Sequence, residues 1–159
     1  MPTNNTRRSG ARRDPRLGFA VQYAVKTTGL PTPAQLRRWA RAALERNACI
    51  TVRIVGEREG RMLNSRFRGR GRPTNVLSFA LGQRPQLEGD IALCAPVIAR
   101  EARAQRKERT AHYAHLLVHG VLHLQGYDHA NERQARRMER RERAILMGLG
   151  YPDPYKGQE

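Results

Sequence analysis

The stretch AHYAHLLVHGVLHLQ, residues 111–125, constrains the fold of this 159-residue chain more than any other. Its residues are strongly apolar, which predicts a helix that the rest of the chain must bury. Thr110 is placed to cap the start of the helix, and Gly126 suits the left-handed backbone conformation that ends many helices. The chain is long enough to form one domain with a core of the necessary size.

Four other segments are rich in β-branched and aromatic residues, which predicts β-strands. They are GFAVQYAV (18–25), ITVRIV (50–55), NVLSFAL (75–81) and DIALC (90–94). In the second of them the apolar residues alternate, with Ile50, Val52 and Ile54 on one side, as expected of a half-buried strand.

Helical patterns fill the segments between and after the strands. They cover residues 30–47, 56–67, 95–110, 111–125 and about 131–147. In the first of these helices Thr32 is placed as the N-cap and Pro33 fits the first turn, whereas Asn131 and Gln134 can form a capping box in the last. One face of the first helix carries the core candidates Leu36, Trp39, Ala40, Ala43 and Leu44. The sequence therefore predicts class α+β, with one four-stranded sheet covered by helices.

The chain carries 30 Lys and Arg against 14 Asp and Glu, a formal net charge of +16, and all but three of the basic residues are arginines. A planar guanidinium suits phosphate and stacks on bases, so this charge indicates a nucleic acid partner. A plainer interpretation is the charged surface of a protein from an arginine-rich proteome. Residues 1–17 are polar, basic and aperiodic, which predicts a disordered basic arm before a folded domain at residues 18–159.

No apolar run approaches the length of a membrane-spanning helix, and the N-terminus has no apolar segment of the kind found in secretory signals. The two cysteines, Cys49 and Cys94, are far apart and are expected to be free thiols in a reducing compartment. The sequence therefore predicts a cytoplasmic protein with no membrane partner.

The segment HGVLHLQGYDH, residues 119–129, holds three of the five histidines in the chain. His119 and His123 are four residues apart, so on a helix they share a face and can reach one metal ion. Gly126 allows the chain to turn back, and His129 can then arrive as a third ligand. Three imidazoles suit zinc and leave a fourth position for water, whose pKa a bound zinc ion lowers to about 7.

Helical spacing alone does not select this pair, because His115 and His119 are also four apart and His112 lies three before His115. A histidine on an apolar helix is often a hydrogen-bonded core residue. His112 and His115 are therefore expected to be structural. Asp128 favours the metal interpretation, since a carboxylate beside a ligand histidine can hold its ring by a hydrogen bond.

The zinc peptidase motif HExxH places a glutamate directly after its first histidine, where it acts as the general base. The residue at that position here is Gly120, which offers no carboxylate. Peptide hydrolysis by that route is therefore disfavoured, although the spacing of the two histidines is the same.

These residues match the pattern of a known family. HGVLHLQGYDH resembles the HGxLHLxGYDH signature of the YbeY family, bacterial endoribonucleases that mature ribosomal RNA. Three further segments also resemble the family, in the same order along the chain. They are NSRFRGRGRPTNVLSF (64–79), similar to a YRG-like segment followed by PTNVLSF, EGDIALC (88–94) and the C-terminal GYPDPY (150–155). The matches run from about residue 50 to residue 155, which is nearly the whole predicted folded domain.

The resemblance implies an α+β fold with a mixed sheet and one Zn²⁺ ion per chain, with His119, His123 and His129 as its ligands. The implied activity is metal-dependent cleavage of single-stranded RNA. The implied role is processing of ribosomal RNA, especially the 3′ end of the small-subunit RNA, and quality control of ribosomes. The partners would be the small ribosomal subunit and its assembly factors. Phe67 in place of the family's tyrosine, and Ala80 in place of its proline, are departures that affect the rim of the expected cleft.

Arg68 aligns with the arginine of the YRG-like segment, which is the family's other functional residue. A guanidinium close to the metal can bind the scissile phosphate and stabilise its developing charge. We expect Arg66, Arg70 and Arg72 to contact RNA in a basic groove, together with the helices at 100–109 and 133–143. Without the resemblance, the favoured interpretation of Arg68 is one more solvated arginine in an arginine-rich chain.

Two classes of function are compatible with these features. The first is a zinc-dependent endoribonuclease, whose nucleophile is either metal-bound water or the 2′-hydroxyl of the RNA. The second is a non-catalytic ribosome-assembly factor that binds RNA and whose zinc is structural. RNA binding without cleavage by a metal-free but folded variant would separate them. A hydrolase of another substrate is a third class, which Gly120 and the charge of +16 argue against.

Overall fold

The structure, a computed structural model, describes residues 13–68 and 74–157, with only the backbone at 67 and 68. Within these ranges the chain forms four strands and five helices. In chain order they are β1 (Leu17–Tyr23), α1 (Pro33–Ala43), β2 (Ala48–Val55), α2 (Glu57–Arg68), β3 (Val76–Gly82), β4 (Leu87–Cys94), α3 (Ala95–Ala104), α4 (Arg109–Leu124) and α5 (Glu132–Gly148). None of the helices in these ranges is both long and apolar enough to cross a bilayer.

The strands form one sheet in the order β1-β2-β4-β3. β1 and β4 flank β2 and run parallel to it, whereas β3 pairs antiparallel with β4. The expected α+β class with a four-stranded mixed sheet is therefore confirmed. Ile50, Val52 and Ile54 of β2 are fully buried, which confirms the alternation predicted from the sequence.

The start of α1 follows from its first residues. The Thr32 hydroxyl accepts a hydrogen bond from the backbone N–H of Gln35 (3.2 Å), and the Gln35 side chain accepts one from the backbone N–H of Thr32 (2.9 Å). This reciprocal pair satisfies two N–H groups that the first helical turn would leave free. The face that carries Leu36 and Trp39 is buried in the core, as predicted, and α1 packs against α4 and β1.

Helix α4 is the centre of the fold. It contacts α1, α3, α5, β3 and β4, and ten of its sixteen residues are buried. The close approach to the sheet depends on Gly120, because a Cβ atom there would lie 3.0 Å from the Ser78 hydroxyl and 3.2 Å from Cδ1 of Ile91. The Ser78 hydroxyl donates to the Gly120 carbonyl across this contact (3.4 Å). The prediction of a buried central helix is confirmed.

The predicted boundary between α3 and α4 is wrong by several residues. α3 ends at Ala104, and Arg106 has a φ of 53°, which takes the chain out of the helix. α4 then begins at Arg109, since the N–H of His112 donates to the carbonyl of Glu108 (3.0 Å). Thr110 therefore lies inside the helix and is not its cap.

Other boundaries shift by fewer residues. β1 begins at Leu17, so this residue belongs to the sheet, whereas residues 1–12 of the predicted basic arm lie outside the described residues. β4 begins at Leu87, three residues earlier than predicted, because Leu87 pairs with Ala48 of β2. α2 ends at Arg68, one residue beyond the predicted helical segment 56–67. Cys49 and Cys94 are free thiols, as expected.

Helix α5 begins after Asn131, whose side-chain oxygen accepts a hydrogen bond from the N–H of Gln134 (2.9 Å). We expect Asn131→Ala to lower the free energy of unfolding by about 1 kcal/mol, because this N–H loses its acceptor. Urea denaturation followed by circular dichroism measures the change. Asn131→Asp retains the cap and should differ little from the original protein, so equal losses in both variants would contradict the assignment.

Candidate metal centre

Two of the three predicted ligands lie on one face of α4. His119 and His123 are one turn apart, and His129 follows in the segment between α4 and α5. The His129 ring centroid lies 5.7 Å from that of His119 and 6.3 Å from that of His123. The fold thus brings together three imidazoles that the sequence spacing alone could not place.

Gly126 makes the return of the chain possible. Its φ of 99° is a left-handed conformation that glycine adopts without strain. The N–H of Tyr127 donates to the carbonyl of Leu122 (3.1 Å) and the N–H of Gly126 to that of His123 (3.0 Å). These two bonds form a Schellman motif, so the predicted role of Gly126 in ending the helix is confirmed.

The turn also fixes the ring of His123. Nδ1 of His123 lies 3.0 Å from the backbone carbonyl of Tyr127, which can only accept, so Nδ1 carries the proton and Nε2 a lone pair. Tyr127 is itself anchored, since its hydroxyl donates to Glu45 (2.8 Å) and the guanidinium of Arg137 lies 4.9 Å from its ring centroid. The segment between the two helices is thus tied to the loop after α1 and to α5 as well as to α4.

His119 is held by a different partner. Its Nδ1 lies 2.5 Å from Oε1 of Glu142, a carboxylate on α5 with no solvent exposure. Burial raises the pKa of Glu142, but the hydrogen bonds from His115 and His119 outweigh it and bring the pKa down to about 2. Glu142 is therefore a carboxylate at neutral pH. His119 donates through Nδ1, which leaves Nε2 as its lone-pair nitrogen.

His129 is the most exposed of the three, with 61% of its side chain accessible. Its backbone N–H donates to the Asp128 carboxylate (2.7 Å), whereas its Nδ1 lies 3.9 Å from the same oxygen. Asp128 thus shapes the turn at His129 through the backbone more than through the ring. The expectation that Asp128 supports a ligand ring stays a prediction.

Within residues 13–68 and 74–157, no group of three or more His, Cys, Asp or Glu side chains is arranged to hold a metal ion as it stands. The three rings are neighbours, and the Nδ1 atoms of His119 and His123 are engaged by protein acceptors. The donor set suits a cation that prefers imidazole nitrogen, because Nε2 of each helical histidine is the atom left to bind it.

The two other histidines of α4 have protein partners. His112 is buried and its Nε2 lies 3.1 Å from Glu101, which also accepts from the side chain of Asn75 (3.0 Å). Burial lowers the pKa of His112, and the contact with Glu101 only partly offsets this. Nε2 of His115 lies 3.3 Å from Glu142. Both contacts agree with the structural role expected for this pair.

The predicted RNA-contacting arginines lie on and after α2. Arg66 is on the exposed side of this helix and Arg68 is its last residue. The Arg68 side chain, Arg70 and Arg72 lie outside the described residues, so the structure does not test their predicted roles.

Glu142 and Tyr155 are the site residues that sequence reasoning missed. Tyr155 donates a hydrogen bond to the Glu142 carboxylate, and its ring packs edge-on against His115, with centroids 5.3 Å apart. Burial and the neighbouring carboxylate raise the pKa of Tyr155, so it stays protonated. Glu142 had a detectable signal, because it shares a helical face with the apolar residues Met138, Ile145 and Leu146.

The fold occurs in a solved structure. The solution structure of a protein from Thermotoga maritima superposes with a TM-score of 0.52 at 23% sequence identity, covering 88% of this chain and 99% of that protein. This likeness supports the arrangement of the sheet and its helices.

Sequence comparison is more specific. The family model described as endoribonuclease YbeY matches residues 25–150. The endoribonuclease YbeY of Methylobacillus flagellatus is 54% identical over 145 residues, covering 91% of this chain and 97% of that protein. Its counterpart from Nitrosomonas eutropha is 52% identical, covering 89% and 100%, and that from Xanthomonas campestris is 48% identical, covering 90% and 96%. With a matching family model and relatives of this similarity along nearly their whole length, the chain belongs to the YbeY endoribonuclease family.

Proposed function

We propose that this protein is a zinc-dependent endoribonuclease that cleaves single-stranded RNA. Its role is ribosomal RNA processing, including maturation of the small-subunit 3′ end, and quality control of ribosomes in the cytoplasm. Its partners are the small ribosomal subunit and its assembly factors. The observation that carries the proposal is the state of two imidazoles on one face of α4. The Nδ1 atoms of His119 and His123 both donate hydrogen bonds to protein acceptors. The lone pair of each ring is therefore on Nε2, the atom that can bind a cation.

His119, His123 and His129 would hold one zinc ion. Rotation of the exposed His129 side chain would complete the set, since its ring already neighbours both others. A buried carboxylate is costly without a compensating positive charge, and a cation on His119 would supply that charge to Glu142. Bound with three protein ligands, zinc keeps an open position and supplies Lewis acidity toward phosphate or water.

Surface charge supports an RNA substrate. α5 begins three residues after His129, and its exposed side carries the arginines 133, 136 and 140. Arg136 pairs with Glu132 at the exposed start of the helix (2.5 Å), whereas Arg141 pairs with Glu45 (3.3 Å) and Arg143 with Asp153 (2.9 Å). An arginine-rich face beside the histidines can neutralise the backbone of a strand that reaches them.

Arg68→Ala tests the proposed activity. We expect cleavage of a single-stranded RNA to fall by about 10²–10³-fold, because the guanidinium no longer stabilises charge at the scissile phosphate. The zinc content should stay unchanged, since Arg68 is not a ligand. The assay follows cleavage on denaturing gels and zinc by elemental analysis of the same samples.

Arg58→Ala is the matched control, because Arg58 is an exposed arginine on the same helix. It should cleave at nearly the original rate. Equal activity of the Arg68 and Arg58 variants would exclude the proposed role of Arg68. RNA binding without cleavage by the zinc-loaded original protein would instead support the assembly-factor function. Product ends carrying a 2′,3′-cyclic phosphate would identify the 2′-hydroxyl as nucleophile.

A further inference from the structure

Glu142 occupies a position that packing alone does not explain. It is fully buried on the face of α5 that contacts α4, among Met138, Ile145 and Leu146. An apolar residue would fit this surface at no electrostatic cost, whereas burying a carboxylate is costly unless hydrogen bonds compensate it.

Three donors compensate this carboxylate. His119 donates through Nδ1 to Oε1 (2.5 Å), and His115 Nε2 (3.3 Å) and the Tyr155 hydroxyl reach Oε2. Both oxygens are therefore used, and one of them is dedicated to His119. The geometry is that of a carboxylate that orients an imidazole and fixes which nitrogen carries the proton.

The C-terminal segment that contains Asp153 and Tyr155 also supports the Glu142 carboxylate. The Asp153 carboxylate accepts from the backbone N–H of Tyr155 (2.9 Å) and pairs with Arg143 of α5 (2.9 Å). The guanidinium of Arg143 also lies 5.5 Å from the ring centroid of Tyr155. These contacts place the Tyr155 hydroxyl on Glu142. The segment thus completes the support of His119 although it is 36 residues away in sequence.

We infer that Glu142 is a positioning residue that, held by Tyr155 and His115, keeps the proton of His119 on Nδ1 and directs Nε2 to the cation. The inference rests on the proposed metal site. His123 has only a neutral backbone carbonyl in the equivalent place, so the two helical ligands are supported unequally. An imidazole that donates a hydrogen bond to a carboxylate is a more basic metal ligand than one that donates to a backbone carbonyl. His119 is therefore the stronger ligand of the two.

The first test compares zinc affinities of the metal-free full-length protein and Glu142→Gln by competition with a chromophoric chelator. The amide keeps the shape but offers one acceptor oxygen and no charge to three donors. We expect zinc to bind about 10–100-fold more weakly. Glu101→Gln is the matched control, because Glu101 contacts a histidine of the same helix, His112 (3.1 Å to Nε2), and His112 is not one of the three predicted ligands. It should bind zinc as the original protein does. Unchanged zinc affinity in a folded Glu142→Gln variant would overturn the inference.

A second measurement does not depend on whether the variant folds. In the metal-free original protein at pH 8, a long-range ¹H–¹⁵N correlation spectrum distinguishes the two imidazole tautomers. We expect His119 to carry its proton on Nδ1. A proton on Nε2 would refute the positioning role even if zinc binds. Conversely, an Nδ1 proton in a protein that binds no zinc would retain the role of Glu142 and refute the proposed function instead.

Discussion

His123→Ala is expected to lose bound zinc and RNA cleavage together. Two imidazoles would remain, one of them on an exposed side chain, and two ligands do not retain zinc against a chelator. The removal of a ligand should cost more than the about 10–100-fold effect of removing an outer hydrogen bond. We therefore expect cleavage to fall by at least about 10³-fold, with zinc content falling from one ion per chain to nearly none.

Elemental analysis and a single-stranded RNA cleavage assay on the same preparation measure both effects. His112→Ala is the control, because His112 lies on the same helix and is held by Glu101. That variant should be less stable, by about 1–3 kcal/mol for the polar group left without its partner, yet retain zinc. Cleavage at the original rate by the His123 variant after exhaustive chelation would refute the metal mechanism.

Gly120→Glu is expected to destabilise the domain strongly, although it would complete the HExxH pattern of the zinc peptidases. A Cβ atom at this position would lie 3.0 Å from the Ser78 hydroxyl and 3.2 Å from Ile91. Overpacking costs about 1–3 kcal/mol, and an unpaired buried carboxylate adds several more. The gain in helix propensity, about 1 kcal/mol, offsets little of this. A loss of roughly 4 kcal/mol or more would consume much of the about 5–15 kcal/mol that stabilises a typical domain.

Gly148→Glu is the matched control, because a Cβ atom at this exposed helical glycine would meet no atom within 4 Å from the described residues outside its own stretch of helix. Its stability should change by at most about 1 kcal/mol. Urea denaturation of the two variants measures the difference. A Gly120→Glu variant as stable as Gly148→Glu would mean that the contact between α4 and the sheet is looser than the structure indicates.

Local chemistry made part of the fold predictable. Thr32 and Gln35 cap α1 through contacts within four residues, and Gly126 ends α4 through its own backbone conformation. Interactions of this kind join residues that are close in sequence, so they can be predicted from a single sequence. The pairing of β4 with β2 extended that strand to Leu87, and no local pattern encodes such a partner.

The candidate site also has a part that local sequence predicts and a part that depends on long-range packing. The spacing of His119 and His123 and the turn at Gly126 predicted that the rings of His119, His123 and His129 lie near one another, although spacing alone did not exclude the pair His115 and His119. The support of His119 depends on Glu142, which comes from a different helix and reaches the ring only after α4 and α5 pack together. The sequence shows that the Glu142 carboxylate lies on the apolar face of α5, which is unusual. Its partner, His119, is identified only by the packing of the two helices.

The hydrogen bond from Tyr155 to Glu142 links the C-terminal segment to the histidine site. Two hydrogen bonds, through the Glu142 carboxylate, connect the Tyr155 hydroxyl to the His119 ring, so the loss of Tyr155 would remove one support of that ring. A preparation shortened before Tyr155 would keep every residue of the histidine signature and still lack the hydroxyl that holds the buried carboxylate in place.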